Sequence, residues 1–458
     1  MRFVSTRGGA QPASLKTALF DGLAPDGGLY VPEALDRWSQ DELNELSRLK
    51  LPEIAARVLQ PFVGEDLDAA ALASVVRDAL TFPIPLVEVE PGVHVLELFH
   101  GPTLAFKDVG ARVMARLMAA LHDGGAPITV LVATSGDTGG AVAHAFHGVA
   151  HTRVVILYPD RRVSPTQEAQ MTRFNGGDSN VKAYAVGGSF DDCQRIAKAA
   201  FSDANLRHRV RLTSANSINI GRLLPQMVYY FQMMATLAAR GVGAGPGGGL
   251  LMSPPVVSVP SGNFGNLTAG LMAKRLGVPV ARFIAATTIN DTVPMYLQTG
   301  RYEPRPSTPT LANAMDVGDP SNFDRMLWLY GGRADAMSRD VVGSRHDDES
   351  IRATIRRVFE RRRYLLDPHS AIAYMGLHAS IASAGDGRKG AFGPPPGRMD
   401  PPGVFLATAH PAKFAEIVEP IIGRTIDKPA PLADALSRPR PVLRISGTLD
   451  ALKGILGD

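Results

Sequence analysis

A single cysteine, Cys193, stands among 458 residues, so no internal disulfide can form and no cysteine-built metal site is available. The eleven histidines show no HExxH or other paired-ligand spacing, which leaves metal catalysis without support in the pattern. An excess of either charge is also missing: 48 Lys and Arg against 44 Asp and Glu leave a formal +4. The basic residues are interleaved with acids rather than gathered, so there is no footprint for nucleic acid. The densest basic run, Arg361-Arg362-Arg363, reads as a solvated helix face. Long apolar runs are scarce. The best of them, Leu223 to Ala239, is interrupted by Gln226 and Gln232 and falls short of a bilayer span. The opening Met1-Arg2-Phe3-Val4-Ser5-Thr6-Arg7 has none of the apolar core of a signal peptide. A soluble cytoplasmic protein that meets neither nucleic acid nor membrane is expected.

The sequence does hold enough apolar residues, 45% of the total, to bury a large core. At roughly 150 residues per domain the length suggests about three domains. Residues 1–92 read as a mixed opening, with helical patterns at Ser39 to Arg48 and Leu67 to Leu80 and a Pro-bounded connector at Thr81 to Pro91. From residue 93 strands alternate with helices. Val93 to Leu98, Ile128 to Ala133, Val154 to Tyr158, Val181 to Val186, Val256 to Val259 and Phe283 to Thr288 are the strand candidates. Helical patterns fall at Asp108 to Leu121, Thr138 to His147, near Pro165, Ile218 to Ala239 and Phe264 to Leu276. Such alternation implies parallel sheets with helices on both faces. Two runs of it predict two α/β domains with a cleft between them: a large one from 93–125 and 220–458, and a smaller one from 126–219. The Gly- and Pro-rich stretches 241–249 and 384–403 read as a flexible loop and a flexible insertion. No internal repeat is evident.

Four segments carry chemistry. In His100-Gly101-Pro102-Thr103-Leu104-Ala105-Phe106-Lys107-Asp108, Lys107 falls where a helix begins, and the helix end and apolar neighbours both favour its neutral amine. A neutral lysine is what Schiff-base chemistry requires; an ordinary surface lysine is the plain alternative. Thr134-Ser135-Gly136-Asp137-Thr138-Gly139-Gly140 follows a strand and opens a helix. Its small residues, hydroxyls and helix end suit a carboxylate or phosphate, although a capped βα turn would look the same. Pro260-Ser261-Gly262-Asn263-Phe264-Gly265-Asn266 repeats the arrangement, and matches neither a Walker sequence nor a dinucleotide GxGxxG. Ser214-Ala215-Asn216-Ser217-Ile218-Asn219, followed by Arg222, opens a long helix. That arginine can grip a phosphate with two parallel bonds, or simply lie on a helix surface.

Taken in this order, the segments resemble the threonine synthase family, a branch of the fold type II pyridoxal-phosphate enzymes. Further matching stretches are Ser5-Thr6-Arg7-Gly8, Leu23 to Tyr30, Gly188 to Cys193, Met315-Asp316 with Pro320 to Phe323, Asp367 to Ala371 and Thr408 to Phe414. They are similar to the longer subgroup, with its extended N-terminal region, and cover nearly the whole chain. The resemblance implies a tryptophan synthase β-like α/β fold and pyridoxal 5'-phosphate as cofactor. It further implies a lyase that turns O-phosphohomoserine and water into threonine and phosphate, with Lys107 holding the cofactor and serving as general base. Gly262, Asn263, Phe264, Gly265 and Asn266 would cradle the cofactor phosphate, and Thr408 would face the pyridine nitrogen. Ser135, Gly136 and Thr138 would take the substrate carboxylate, and Asn216, Ser217 and Arg222 its phosphate. Asp137 stands where many fold type II relatives place asparagine. If it meets the cofactor's phenolic oxygen, one of the two must hold a proton. The competing readings are a phospho-lyase or dehydratase releasing a 2-oxo acid, a non-catalytic binding protein on this fold, and a nucleotide-binding enzyme. Monomer and homodimer both remain open.

Overall fold

The computed structural model describes residues 1–243, 253–385, 401–437 and 441–457. The chain opens with a short antiparallel ribbon, β1 (Phe3–Ser5) and β2 (Tyr30–Pro32). Helices follow, the longest of them Leu51–Val63 and Ala69–Ala79. The first buries Ile54, Val58, Leu59 and Phe62, the one-sided stripe that a 3.6-residue period produces. The chain then lays down β3 (Leu86–Glu90) and β4 (Val93–Glu97). It crosses to a second unit for β5 (Ile128–Ala133), β6 (Thr152–Pro159), β7 (Val181–Val186) and β8 (Arg211–Ser214). It returns for β9 (Val256–Pro260), β10 (Arg282–Thr287), β11 (Val341–Arg345) and β12 (Gly403–Ala407), and crosses once more to place β13 (Leu443–Ile445).

The larger sheet runs β11-β10-β9-β12-β4-β3 and the smaller one β13-β7-β6-β5-β8. Every pairing in both is parallel except β3 against β4. Central strands β5 (Ile-Thr-Val-Leu-Val-Ala) and β12 (Gly-Val-Phe-Leu-Ala) are buried along their whole length. Parallel strands covered by helices on both faces have no solvent side, which is why these segments read as nearly unbroken apolar runs.

Three expectations need correction. The connector Thr81 to Pro91 contains β3, whose backbone pairs with β4 from Leu86 to Glu90. The helix expected over Ile218 to Ala239 is broken by Pro225, which lacks the N–H a continuous helix would use. It is split into Ile220–Leu223, a tighter turn Leu224–Gln226, and Met227–Ala239. Finally, residues 220–458 do not all join the larger unit. Strand β13 pairs with β7, Leu443 opposite Tyr184, and the helix Leu449–Gly457 buries Leu452 and Leu456 beside Val155 and Ile196 of the smaller unit. Most of stretches 241–249 and 384–403 lies outside the described residues, although Ala384 and Gly385 end a helix and Gly403 opens β12. Arg361 and Arg362 form the exposed last turn of the helix Asp348–Arg362, where Arg362 meets Glu90 at 2.7 Å. Among the described residues, no helix is long and apolar enough to cross a membrane.

Candidate active site

Parallel sheets gather the loops that follow their strands at one edge, and ligands of such folds bind there. All four segments singled out in the sequence, and Thr408, lie directly after the C-terminal ends of β4, β5, β8, β9 and β12.

Lys107 is the first residue of the helix Lys107–Leu121. The turn before it is held from two sides. The Phe106 amide donates to the Thr408 carbonyl at 2.8 Å and the His410 amide to the Leu104 carbonyl at 3.0 Å, so backbone pairing alone brings Thr408 beside the lysine. The buried carboxylate of Asp108 accepts from the Thr103 amide at 2.8 Å and its hydroxyl at 2.7 Å, while burial pushes this carboxyl up to about 6. Lys107 itself retains some exposed area but is hemmed in by protein. Desolvation lowers its amine to about 8, against the attraction of Asp137 and with the repulsion of Arg222 and Lys413. A group poised there releases its proton near neutrality.

The Ser135–Thr138 loop is shaped by Gly136, whose φ of +146° belongs to glycine and whose missing Cβ would strike the Gln167 side chain. The Thr134 hydroxyl accepts from the amides of Gly136 at 3.0 Å and Gly139 at 3.1 Å. Asp137 opens the helix Asp137–Phe146, and its Oδ1 receives Lys413 Nζ at 2.8 Å and Gln167 Nε2 at 3.2 Å. Burial on its own would raise this carboxyl, but Lys413 and Lys107, with His369 further off, outweigh it and hold it well below the usual range. Ser135 and Thr138 stay partly open.

The second loop is built differently. Phe264 adopts a left-handed conformation (φ 59°) just before the helix Gly265–Arg275. A side chain at Gly262 would press on the Ala314 carbonyl and Met315 Cα, both 2.8 Å away. Both asparagine side chains are used internally. Asn263 Oδ1 accepts from the Ser321 amide at 2.8 Å, and Asn266 Nδ2 donates to the Pro260 carbonyl at 2.9 Å. This helix has no acid in its first turn and no side-chain bond from its N-cap residue, so the positive end of its dipole faces the loop.

Asn216 bonds back to the end of β5, Nδ2 to the Ala133 carbonyl at 2.7 Å, and Ser217 packs near Gly265. Arg222 does not share their surface. It is 3% exposed, donates Nη1 to the Ala215 carbonyl at 2.5 Å, and keeps Nε buried without a partner. It therefore supplies positive charge from beneath.

Several contributors had no role assigned from sequence. Lys413, fully buried, and Gln167 gather at Asp137. Arg325, also fully buried, donates to the carbonyls of Tyr30, Ser217 and Ile218 and to Asn322 Oδ1, which fixes the Asn216–Ser217 loop. His369 takes Asp367 Oδ2 at 2.6 Å on Nδ1 and has Nε2 buried without a partner. Lys413 and His369 sat in motifs already noted, but the partners of Lys413, Thr103 and Asp137, lie far off in the sequence and left no local signal.

A lysine tuned towards the free amine and a glycine-lined helix end with no acid in its first turn together suit an aldehyde that carries a phosphate. Comparison with known proteins agrees. Residues 81–391 match the family of pyridoxal-phosphate dependent enzymes, residues 2–80 the threonine synthase N terminus, and residues 396–456 the threonine synthase C-terminal family. The threonine synthase of Escherichia coli is 42% identical over 439 residues, covering 96% of this chain and 95% of that protein. The crystal structure of that enzyme superposes with a TM-score of 0.87 at 41% identity, covering 100% of this chain and 99% of the other. The pyridoxal-phosphate-bound threonine synthase of Brucella melitensis gives 0.88 at 36% identity, again over 100% and 99%. By sequence and by architecture the chain belongs to the threonine synthase family of pyridoxal-phosphate-dependent lyases.

Proposed function

We propose that this enzyme converts O-phospho-L-homoserine and water to L-threonine and phosphate, with Lys107 as the residue that carries the cofactor and moves protons. The observation that supports it most is the convergence of two differently charged loops on a lysine that gives up its proton near pH 8. When bound, pyridoxal phosphate supplies the electron sink for negative charge formed at the substrate α carbon. Lys107 Nζ would hold the cofactor and, when free, is the nearest base: it would take the α proton and then a β proton as phosphate leaves the γ carbon, and return one at the γ carbon before water adds at the β carbon. The backbone of Gly262, Asn263, Phe264, Gly265 and Asn266 holds the cofactor phosphate, and the Thr408 hydroxyl, a neutral group, meets the ring nitrogen. Ser135, Gly136 and Thr138 orient the substrate carboxylate. Asn216 and Ser217 bind the substrate phosphate, with the charge of Arg222 behind them. Asp137, held as an anion by Lys413 and Lys107, would leave the proton on a phenolic oxygen that came beside it. A cytoplasmic location is proposed on the sequence, whose single cysteine can form no internal disulfide.

The test is to incubate cofactor-loaded protein with O-phospho-L-homoserine and follow phosphate, threonine and 2-oxobutyrate together, beside Lys107→Ala. Equal release of phosphate and threonine, absent from the variant, is expected. Phosphate accompanied by 2-oxobutyrate would replace the synthase with a phospho-lyase.

A further inference from the structure

Asp137 and Lys413 come from distant parts of the chain and meet, both buried, between the two units. Lys413 lies in the turn Pro411–Phe414, five residues past Thr408, and is fully buried. Its Nζ donates to the Thr103 carbonyl at 3.0 Å, in the turn that leads to Lys107, and to Asp137 Oδ1 at 2.8 Å. Gln167 Nε2 reaches the same oxygen at 3.2 Å. Lys107 and Lys413 both act on this carboxylate, and the contact is with Lys413.

We propose that Lys413 is a positioning residue for Lys107: by claiming Asp137 it prevents that carboxylate from pairing with Lys107, which is left as an amine able to attack a carbonyl. The inference rests on Lys107 being the cofactor lysine. The charges acting on Lys107 come from every side: Asp137 at the start of the helix Asp137–Phe146, Arg222 in the helix Ile220–Leu223, and Lys413 in its turn. On its own helix Asp108 is occupied by Thr103. Asp137 is influenced by Lys413, Lys107 and His369. With Lys413 neutralised, the buried anion has one strong cation left to draw on, Lys107, and an opposite charge in such a site favours the charged form of its partner. The cofactor lysine would then remain an ammonium over the working pH range. A purely structural Lys413, bolting one unit to the other, makes no such demand.

The experiment reads the amine itself. Full-length protein stripped of cofactor is labelled with trace acetic anhydride across pH 6–11, and modification of Lys107 is quantified by mass spectrometry. In K413M the midpoint should rise by about one unit or more, which is at least a tenfold drop in labelling at a fixed pH below it. In D137N it should fall below wild type, because the attraction of the carboxylate is lost while Lys413 stays. The double variant K413M/D137N should lie between the two, and K413R should follow wild type. An unshifted or lowered midpoint in K413M, or a double variant as displaced as K413M, overturns the proposal. If K413M does not fold, D137N and the double variant decide: a D137N midpoint at or above wild type overturns it equally. Turnover of phosphohomoserine is not part of the readout, so failure of the functional assignment and failure of this inference are separately visible.

Discussion

The two anion loops share a sequence style and differ in electrostatics. Each follows a parallel strand, each is rich in glycine and small polar residues, and each opens a helix. In the first, Thr134 already takes two of the helix-end amides, and Asp137 places a negative charge in the first turn. In the second, the first turn is free of acid, Asn263 turns away to the Ser321 amide, and Asn266 takes one helix-end amide, that of Leu267. The helix-end field is thus largely satisfied in one loop and available in the other. On electrostatic grounds the second is the better seat for a phosphate. The first, its charge neutralised by Lys413, suits recognition by neutral donors such as Ser135 and Thr138. Strand–glycine–helix punctuation marks where an anion can sit; the residue at the helix start decides which anion.

This contrast can be broken or sharpened. The largest effect should come from Lys413→Ala, which removes the counter-charge in contact with buried Asp137 and should cost about 3–5 kcal/mol in chemical denaturation, Gln167 and Lys107 replacing it only in part. A loss below about 1 kcal/mol would mean that the first loop does not depend on its counter-charge. Gly265→Asp would give the second loop the acid that the first one carries. There is room for it, since a Cβ would sit 3.5–3.9 Å from its neighbours Asn322 and Ser217. Affinity for pyridoxal phosphate, followed by fluorescence titration, should drop at least tenfold, about 1.4 kcal/mol; unchanged binding would make the two loops equivalent. Thr134→Val strips the acceptor from two amides and should destabilise by about 1 kcal/mol. The smallest effect is a slope. Asp137 has its folded-state proton affinity held below the unfolded value of about 4. Its contribution is therefore fully present above that pH and lost as pH falls through and below it. D137N should flatten the acid limb of stability against pH, and an unaltered limb would show that the carboxylate is not held down.

Much of this was legible in the sequence because it is local. The alternation of strand and helix from residue 93 follows from side-chain periodicity. Lys107 at a helix start, the glycine loops and Thr408 at a strand end are features that span a few residues. What escaped is what the chain settles at a distance. Strand β3 was hidden between prolines that punctuate a connector, and only its pairing with β4 makes it a strand. Pro225 divides a helix whose apolar pattern runs straight through it. Strand β13, three residues long, carries no pattern of its own. Lys413, Arg325 and Gln167 owe their places to partners hundreds or tens of residues away, and no spacing rule connects them.

The last crossing of the chain has a consequence for biogenesis. Strand β13 covers the edge of β7, and it is made long after the strands it joins. Until it emerges from the ribosome, the smaller sheet presents Tyr184, Ala185 and Val186 as an open edge, the kind of surface on which strands of other chains add. The C-terminal segment thus acts as the closing stitch of a unit whose other strands were complete more than two hundred residues earlier. A nascent chain stalled before it, or a protein clipped there, would be expected to self-associate even though every group at the cofactor site is already in place.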